Sequence, residues 1–359
     1  MTQLRTVQVL GGGSAGSGAH VRSLAAGLVA RGVRVTVCAP DELDRVYDFG
    51  GAGAYHVAVE RRSDPVAVAV LRAACAGADV VHAHGLHAAV RSALALGGTR
   101  IPLVVTVHTR SHSGGPRGQV ARLLERRAVR AAAVVLGTSS ELVDRARGRG
   151  ARDARLAPVA VPLRGATPEN KARAELGAVD RPLLVAMGAL VPEQGYGTLL
   201  DAVEGWRGLD PAPLLVIVGE GRERAGLQRR IESAGLPVRL VGRRDDAADL
   251  LAAADLVVLA SRWEPRSGPA QEALRLGVPL VATAVGAVPE LVGDAAELVP
   301  YGDARALSAA VVRLLADPAR RQELAAGGRA QAATWPTEDE TIAQTLSVYD
   351  ELAQTSRFR

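Results

Sequence analysis

The sequence predicts an α/β protein made of two Rossmann-like domains, each a doubly wound parallel sheet, facing each other across a cleft. Three observations predict it. Short β-branched runs alternate with longer Ala/Leu/Arg stretches of helical period. The alternation occurs twice, on either side of a Pro-containing stretch at Ala157–Gly165. And 359 residues exceed one ordinary core but suit two domains of common size.

In the first series Val7–Leu10, Val33–Ala39, Val80–His82, Leu103–His108 and Val134–Thr138 read as strands. The glycine-rich stretch Gly11–Gly18 separates the first of them from a helix over about His20 to Arg31. In the second series Leu183–Met187, Leu214–Val218, Val238–Val241, Leu256–Ala260 and Leu280–Ala282 are the strands. They are apolar on both faces, which suits parallel strands covered by helices on each side. The last helices run from about Asp303 to Ala333 and, after Trp335-Pro336, from Thr337 to Gln354. The domains are therefore placed at 1–162 and 163–335, with 336–359 a helix returning to the N-terminal domain. Ligands of such sheets bind outside the carboxyl ends of the strands. Polar residues there are the ones to search for chemistry.

Apolar residues make up 48% and charged residues 23%, the balance of a soluble globular chain. No apolar run approaches the roughly 20 residues that span a bilayer, and Met1–Arg5 does not open a secretory apolar region. Cys38 and Cys75 lie in or beside apolar segments without metal-ligand spacing and read as small buried hydrophobes of a reducing compartment. These features point to the cytoplasm.

The net charge of +5 is carried almost wholly by Arg, with Lys171 the only lysine. That bias, beside heavy Ala, Gly and Val usage, reads as GC-rich coding rather than as a binding surface. Arg122, Arg126 and Arg130 recur at helical spacing. A solvated helix face is preferred over a patch for acidic lipid or acceptor phosphate, which would put the protein peripherally on a membrane. No aromatics interleave with these arginines, so base stacking has no platform and no nucleic acid is expected as a partner.

Gly11-x-Gly13-x-x-Gly16 satisfies a dinucleotide fingerprint. Its glycines let backbone amides approach an anion at the positive end of a helix. An NAD site also calls for an acidic residue closing the second strand, and Asp41 comes only after Ala39-Pro40. The loop points to an anion, not to NAD.

His82 and His84 lie in Asp79–Gly85, and His108 ends Val104–His108. A polar residue at the end of a parallel strand points into the cleft mouth. His108 is read as functional, while His82 and His84 suit a structural hydrogen-bonding role equally well. No carboxylate sits at ligand spacing beside them, so no metal site is expected.

The densest constellation is Ser261–Leu274. Glu264 sits in the loop after the strand Leu256–Ala260, and Glu272 in the first turns of the next helix. Loop amides between them can cradle a phosphate, and the carboxylates can accept hydrogen bonds from sugar and ribose hydroxyls. Stabilisation of a helix start by a carboxylate would account for one of the two, not both.

With these motifs in order the chain resembles glycosyltransferase family 4, retaining enzymes of GT-B architecture. The resemblance runs nearly end to end. Gly18-Ala19-His20-Val21, Asp79–Gly85, Val105-Thr106-Val107-His108 and Leu136-Gly137-Thr138-Ser139 are similar to its first-domain landmarks. Val218-Gly219-Glu220-Gly221, Glu264-x7-Glu272 with Ala273, Gly277-Val278-Pro279 and Gly286-x-Val288-Pro289-Glu290 are similar to its second-domain series.

Membership implies a nucleoside-diphosphate sugar held mainly by the second domain and a hydroxyl acceptor held mainly by the first. Transfer would retain anomeric configuration, with no cofactor and no metal. His108 would contact the donor sugar, Glu264 sugar hydroxyls and Glu272 the ribose. Backbone amides at Ser267 and Gly268 would meet the phosphate or sugar, and Gly12 or Gly13 the diphosphate from the opposite side. Gly188 and Gln194 would lie along the donor, and the nucleobase near Gly242 and Arg243. His20 and His84 would stand on the acceptor side. Domain closure would assemble the site.

Two departures stand out. The family normally carries an Arg and a Lys in a Gly-Arg-Leu…Lys-Gly segment that neutralises the departing diphosphate. Here Gly188-Ala189-Leu190 and Gln194-Gly195 are uncharged at both positions. Loss of one such interaction costs on the order of 100-fold in rate. Pro158–Pro162 also replaces the Asn-Gly turn of many relatives.

Arg266 is the candidate replacement cation, ahead of Arg262 and Arg243. The preferred reading is an active transferase. The alternative is a catalytically degenerate homologue acting as a partner or activator of another protein. An oxidoreductase built on Gly11–Gly16 leaves the second-domain motifs unexplained, and a sugar-nucleotide epimerase is less supported. The motifs leave donor sugar, base, acceptor and oligomeric state open.

Overall fold

The computed structural model of the chain describes residues 3–11, 15–60, 64–110, 115–160 and 170–357. The chain divides into two units, Met1–Pro162 with Pro336–Arg359, and Leu163–Trp335.

The first unit holds strands β1 (Arg5–Leu10), β2 (Arg34–Ala39), β3 (Tyr55–Ala58), β4 (Val80–His84), β5 (Leu103–Val107), β6 (Val134–Gly137) and β7 (Ala154–Leu156). They form one parallel sheet in the order β3-β2-β1-β4-β5-β6-β7. Helices α1 (Ala15–Ala30), α2 (Asp41–Tyr47), α3 (Pro65–Cys75), α4 (Leu86–Ala95), α5 (Gly115–Ala131) and α6 (Ser140–Gly148) connect them.

Successive residues of a strand enter opposite apolar layers, which is why these strands show no polar alternation. Val81 and Val105 join Leu71 and Val129 in one layer, while Val80 and Val104 join Leu24 and Leu28 in the other. The second layer is completed by Ile342, Val348 and Tyr349 of the C-terminal helix. Cys38 and Cys75 are buried free thiols whose pKa burial pushes up to about 12.

The second unit holds α7 (Asn170–Glu175), β8 (Leu183–Met187), α8 (Tyr196–Val203), β9 (Leu214–Val218), α9 (Arg224–Ala234), β10 (Val238–Gly242), α10 (Ala247–Ala252) and β11 (Leu256–Leu259). It continues with α11 (Gly268–Leu276), β12 (Leu280–Thr283), α12 (Val288–Val292), β13 (Glu297–Val299), α13 (Ala304–Ala316) and α14 (Pro318–Ala333). Its sheet is parallel in the order β10-β9-β8-β11-β12-β13. Helix α15 (Glu338–Arg357) belongs to the first unit.

Several expectations need correction. Helix α1 starts at Ala15 rather than near His20, so Gly16, Ser17 and Gly18 are helical. A Cβ at Gly18 would run into the Tyr47 ring, so close packing against α2 favours a helix there despite poor glycine propensity. Strands β3, β7 and β13 were not expected. The long helix over Asp303 to Ala333 is two helices, because Asp317 caps α14 through Oδ1 on the Arg320 amide at 2.9 Å and Pro318 opens it. β4 runs on to His84, and β5 stops at Val107, leaving His108 just beyond the strand.

Strand order reverses between β1 and β4 in the first sheet, and between β8 and β11 in the second. At such points the connections depart to opposite faces and open a crevice at the carboxyl ends. Among the described residues, no helix is long and apolar enough to cross a membrane.

Candidate functional site

In the second unit the switch point brings together the segments after β8 and β11. Gln194, in the 3-10 turn Pro192–Gln194, donates from Nε2 to Oε1 of Glu264 at 3.0 Å. Ser261, two residues beyond β11, donates from Oγ to the same oxygen at 2.7 Å. Burial raises the Glu264 pKa, and these two hydrogen bonds pull it back. The carboxylate is thus held in one orientation by two neutral donors.

The backbone is fixed just as closely. The Ala287 amide donates to the Glu264 carbonyl at 3.0 Å. Gly286, at φ 56, is the residue whose missing Cβ lets that turn approach, since a Cβ there would strike the same carbonyl. The Tyr196 hydroxyl is buried without a hydrogen-bond partner among the described residues, and burial together with the Glu264 charge raises its pKa.

Glu272 lies one turn into α11. Its Oε1 is buried and bonded to nothing described, and burial raises its pKa against the pull of Arg275. An acceptor oxygen left in this state is costly unless a ligand donor meets it. Ser267 caps the same helix with Oγ on the Ala270 amide at 3.4 Å, and the space that a Cβ on Gly268 would enter is open. A helix N-terminus with an open approach is a ready anion site.

In the first unit the strand ends carry a histidine cluster. His20, His82, His84 and His108 form ring contacts with centroid separations from 4.2 to 5.7 Å. Burial is the main cause lowering every pKa in the group, to about 3 for His20, about 4 for His108 and well below 6.5 for the other two. The rings are neutral at pH 7, which makes their tautomers matter.

One chain of hydrogen bonds links His82, His84 and His108. Gln8 Oε1 can only accept, so His84 donates to it from Nε2 at 3.0 Å. His84 Nδ1 is then bare and accepts from His108 Nε2 at 3.4 Å. On its other side Gln8 Nε2 donates to the Tyr349 hydroxyl at 3.0 Å, and that hydroxyl is hydrogen-bonded to His82 Nδ1 at 2.6 Å. His82 Nε2 ends the chain on Thr106 Oγ1 at 2.6 Å.

Of the residues expected to act together, the structure groups Gln194 with Glu264, and His20 with His84 and His108. Gly188 stands beside Gln194, where a Cβ would meet the Gln194 Oε1. Gly242 ends β10, and its carbonyl accepts from the Gly219 amide at 2.8 Å, while Arg243 is exposed.

Arg266 lies against Trp335. Its guanidinium lies 5.5 Å from the Trp335 ring centroid and donates from Nε to Gln271 at 3.3 Å. Burial lowers its pKa to about 10. Gly12 and Gly13 lie outside the described residues. No cluster of metal-ligating side chains occurs among the described residues.

Ser261, Gln8, Tyr196 and Tyr349 were not among the expected site residues. A glutamine inside an otherwise apolar strand was the available signal for Gln8; Tyr349 offered none.

Residues 168–331 match the family described as Glycosyl transferases group 1, and residues 15–162 match the Glycosyl transferase 4-like domain. The GDP-mannose-dependent monoacylated alpha-(1-6)-phosphatidylinositol monomannoside mannosyltransferase of Corynebacterium glutamicum is 35% identical over 187 residues, 48% of this chain and 49% of that one. The putative teichuronic acid biosynthesis glycosyltransferase TuaC of Bacillus subtilis is 31% identical over 245 residues, 66% of this chain and 61% of that one. The chain thus spans about half the length of the curated relatives it matches.

Anabaena HepE in complex with UDP-glucose has a TM-score of 0.83 at 22% identity, covering 96% of this chain and all of that one. The chain therefore has the GT-B fold, two parallel-sheet Rossmann-like domains. Each half matches a glycosyl transferase domain model.

Proposed function

We propose that the chain is a metal-independent, retaining glycosyltransferase that moves a sugar from a nucleoside-diphosphate sugar to a hydroxyl acceptor. The observation that carries this reading is the pair of carboxylates at the second switch point. Glu264 is locked in orientation, and Glu272 keeps a buried oxygen without a partner among the described residues.

In this reading Glu272 accepts from ribose hydroxyls and Glu264 holds sugar hydroxyls. The N-terminus of α11, open at Gly268, faces the phosphates. Arg266, seated on Trp335, suits a packing role better than that of a replacement cation. The helix terminus, equivalent to roughly half a charge, then carries much of the diphosphate stabilisation.

Titration calorimetry with a panel of sugar nucleotides, paired with a donor-hydrolysis assay, tests the reading. Saturable binding that Glu272→Ala weakens at least about 10-fold, the worth of one charged hydrogen bond, supports it. Failure of every donor to bind favours the second reading, a degenerate homologue acting on a protein partner. The observation behind that alternative is that Ala189 is uncharged and Gln194 is engaged by Glu264.

A further inference from the structure

Beneath α5 in the first unit lies a cavity of about 520 Å³, within the size range of small-molecule sites. Its body is walled by Leu86, Ala89, Val105, Val107, Leu124 and Val129. Its uncharged polar lining is Ser17, His84, His87, His108 and Thr109, of which His84 ends β4 and His108 follows β5.

Two charged residues also touch the wall, and both are engaged. Arg110 pairs with Glu141 at 2.8 Å. Glu125 accepts from Arg145 at 2.6 and 2.8 Å and from Arg149 at 3.1 Å. The body therefore offers an entering molecule apolar contact and few hydrogen bonds. A polyol lodged there would lose hydration without recompense, which is costly for each hydroxyl. His108 Nε2 is committed to His84, leaving Nδ1 as the ring's acceptor for a hydroxyl.

We infer that this cavity is the acceptor site and that the acceptor is an amphiphile, its apolar body beneath α5 and its reacting hydroxyl at His84 and His108. The inference rests on the transferase reading and narrows its acceptor to a chemical class. The apolar body has two sources, an alkyl chain as in a lipid or a fused-ring aglycone.

The test titrates the full chain with 1-butanol, 1-hexanol, 1-octanol and 1-decanol, with 2-naphthol, and with myo-inositol as the wholly polar probe. Affinity is expected to rise about 4-fold per methylene until the cavity is filled. Tighter binding of 2-naphthol than of any alkanol assigns the fused-ring source, and the reverse order assigns the alkyl chain.

Ala121→Phe, which fills the cavity from α5, is expected to weaken 1-octanol at least 10-fold. Should that variant unfold, Leu124→Ser lowers the apolar contact without adding volume and is expected to weaken every alkanol. An affinity independent of chain length, myo-inositol binding where alkanols do not, or a folded Ala121→Phe that binds octanol unchanged would each overturn the inference.

UDP-glucose and GDP-mannose titrated into the same sample report on the second unit. Alkanol binding with failure across a full donor panel would leave an apolar pocket but remove its role as an acceptor site.

Discussion

The Tyr349 hydroxyl stands 2.6 Å from Nδ1 of His82 and 3.0 Å from the Gln8 side-chain amide, so one residue of α15 joins both arms of the histidine chain. Tyr349→Phe keeps the ring and its packing but removes a hydrogen-bond partner from two buried groups, His82 Nδ1 and the Gln8 amide. Each such loss costs about 1–3 kcal/mol. The urea midpoint is expected to fall with an unchanged slope, and 15N spectra should show a changed tautomer balance at His82. A loss below about 0.5 kcal/mol, the range of an ordinary surface change, would contradict the network.

Four neutral histidines also set an acid limit on stability. In the unfolded chain they bind protons near pH 6.5, whereas burial holds His20 to about 3 and His108 to about 4. The unfolded state therefore binds more protons, and stability falls as pH drops from about 6.5 toward 4, by about 1.4 kcal/mol per pH unit for each histidine fully in that window. Glu264 and Glu272, whose pKa values burial raises, act in the opposite sense at the lower end. Chemical denaturation at constant ionic strength from pH 8 to pH 4 checks this; a flat profile would rule it out.

Gln194→Glu places a second carboxyl where an amide now donates to Glu264 at 3.0 Å. Two carboxylates cannot both ionise there cheaply. The variant is expected to be less stable by about 2 kcal/mol at pH 8, the scale of a hydrogen bond to a charged group, and to recover as the pH falls toward 5 and the pair shares a proton. A deficit that stays constant with pH would mean that Gln194 does not sense the Glu264 charge.

Glu272→Ala should separate binding from folding. Its Oε1 is buried without a partner among the described residues, so removing the carboxylate relieves a desolvation cost. Thermal unfolding is expected at the same temperature or higher, while donor affinity drops at least about 10-fold. Lower stability with unchanged donor binding would assign Glu272 a structural role.

Much of this was legible in the sequence because the central strands are buried on both faces and read as unbroken apolar runs. β3 and β13 were missed because they are short and carry polar residues such as Tyr55, His56 and Glu297; at β7, Arg155 interrupts a three-residue strand. The start of α1 was hidden by Gly16 and Gly18, whose low helix propensity tertiary packing overrides. Asp317-Pro318 was a readable cap signal that the surrounding helical period concealed. Glu264 and Glu272 stood out because a strand, a loop and a helix N-terminus follow one another in sequence. The link from Tyr349 to Gln8 joins opposite ends of the chain and leaves no local pattern.

The return of Pro336–Arg359 to the first unit makes the second unit, topologically, an insertion within the first. On the ribosome the opening sheet emerges early, yet Ile342, Val348 and Tyr349 arrive only after all of Leu163–Trp335 has been made. Until then the apolar flank of α1 is uncovered and His82 lacks its phenolic partner, a nascent state suited to chaperone capture. The half translated first is the half completed last.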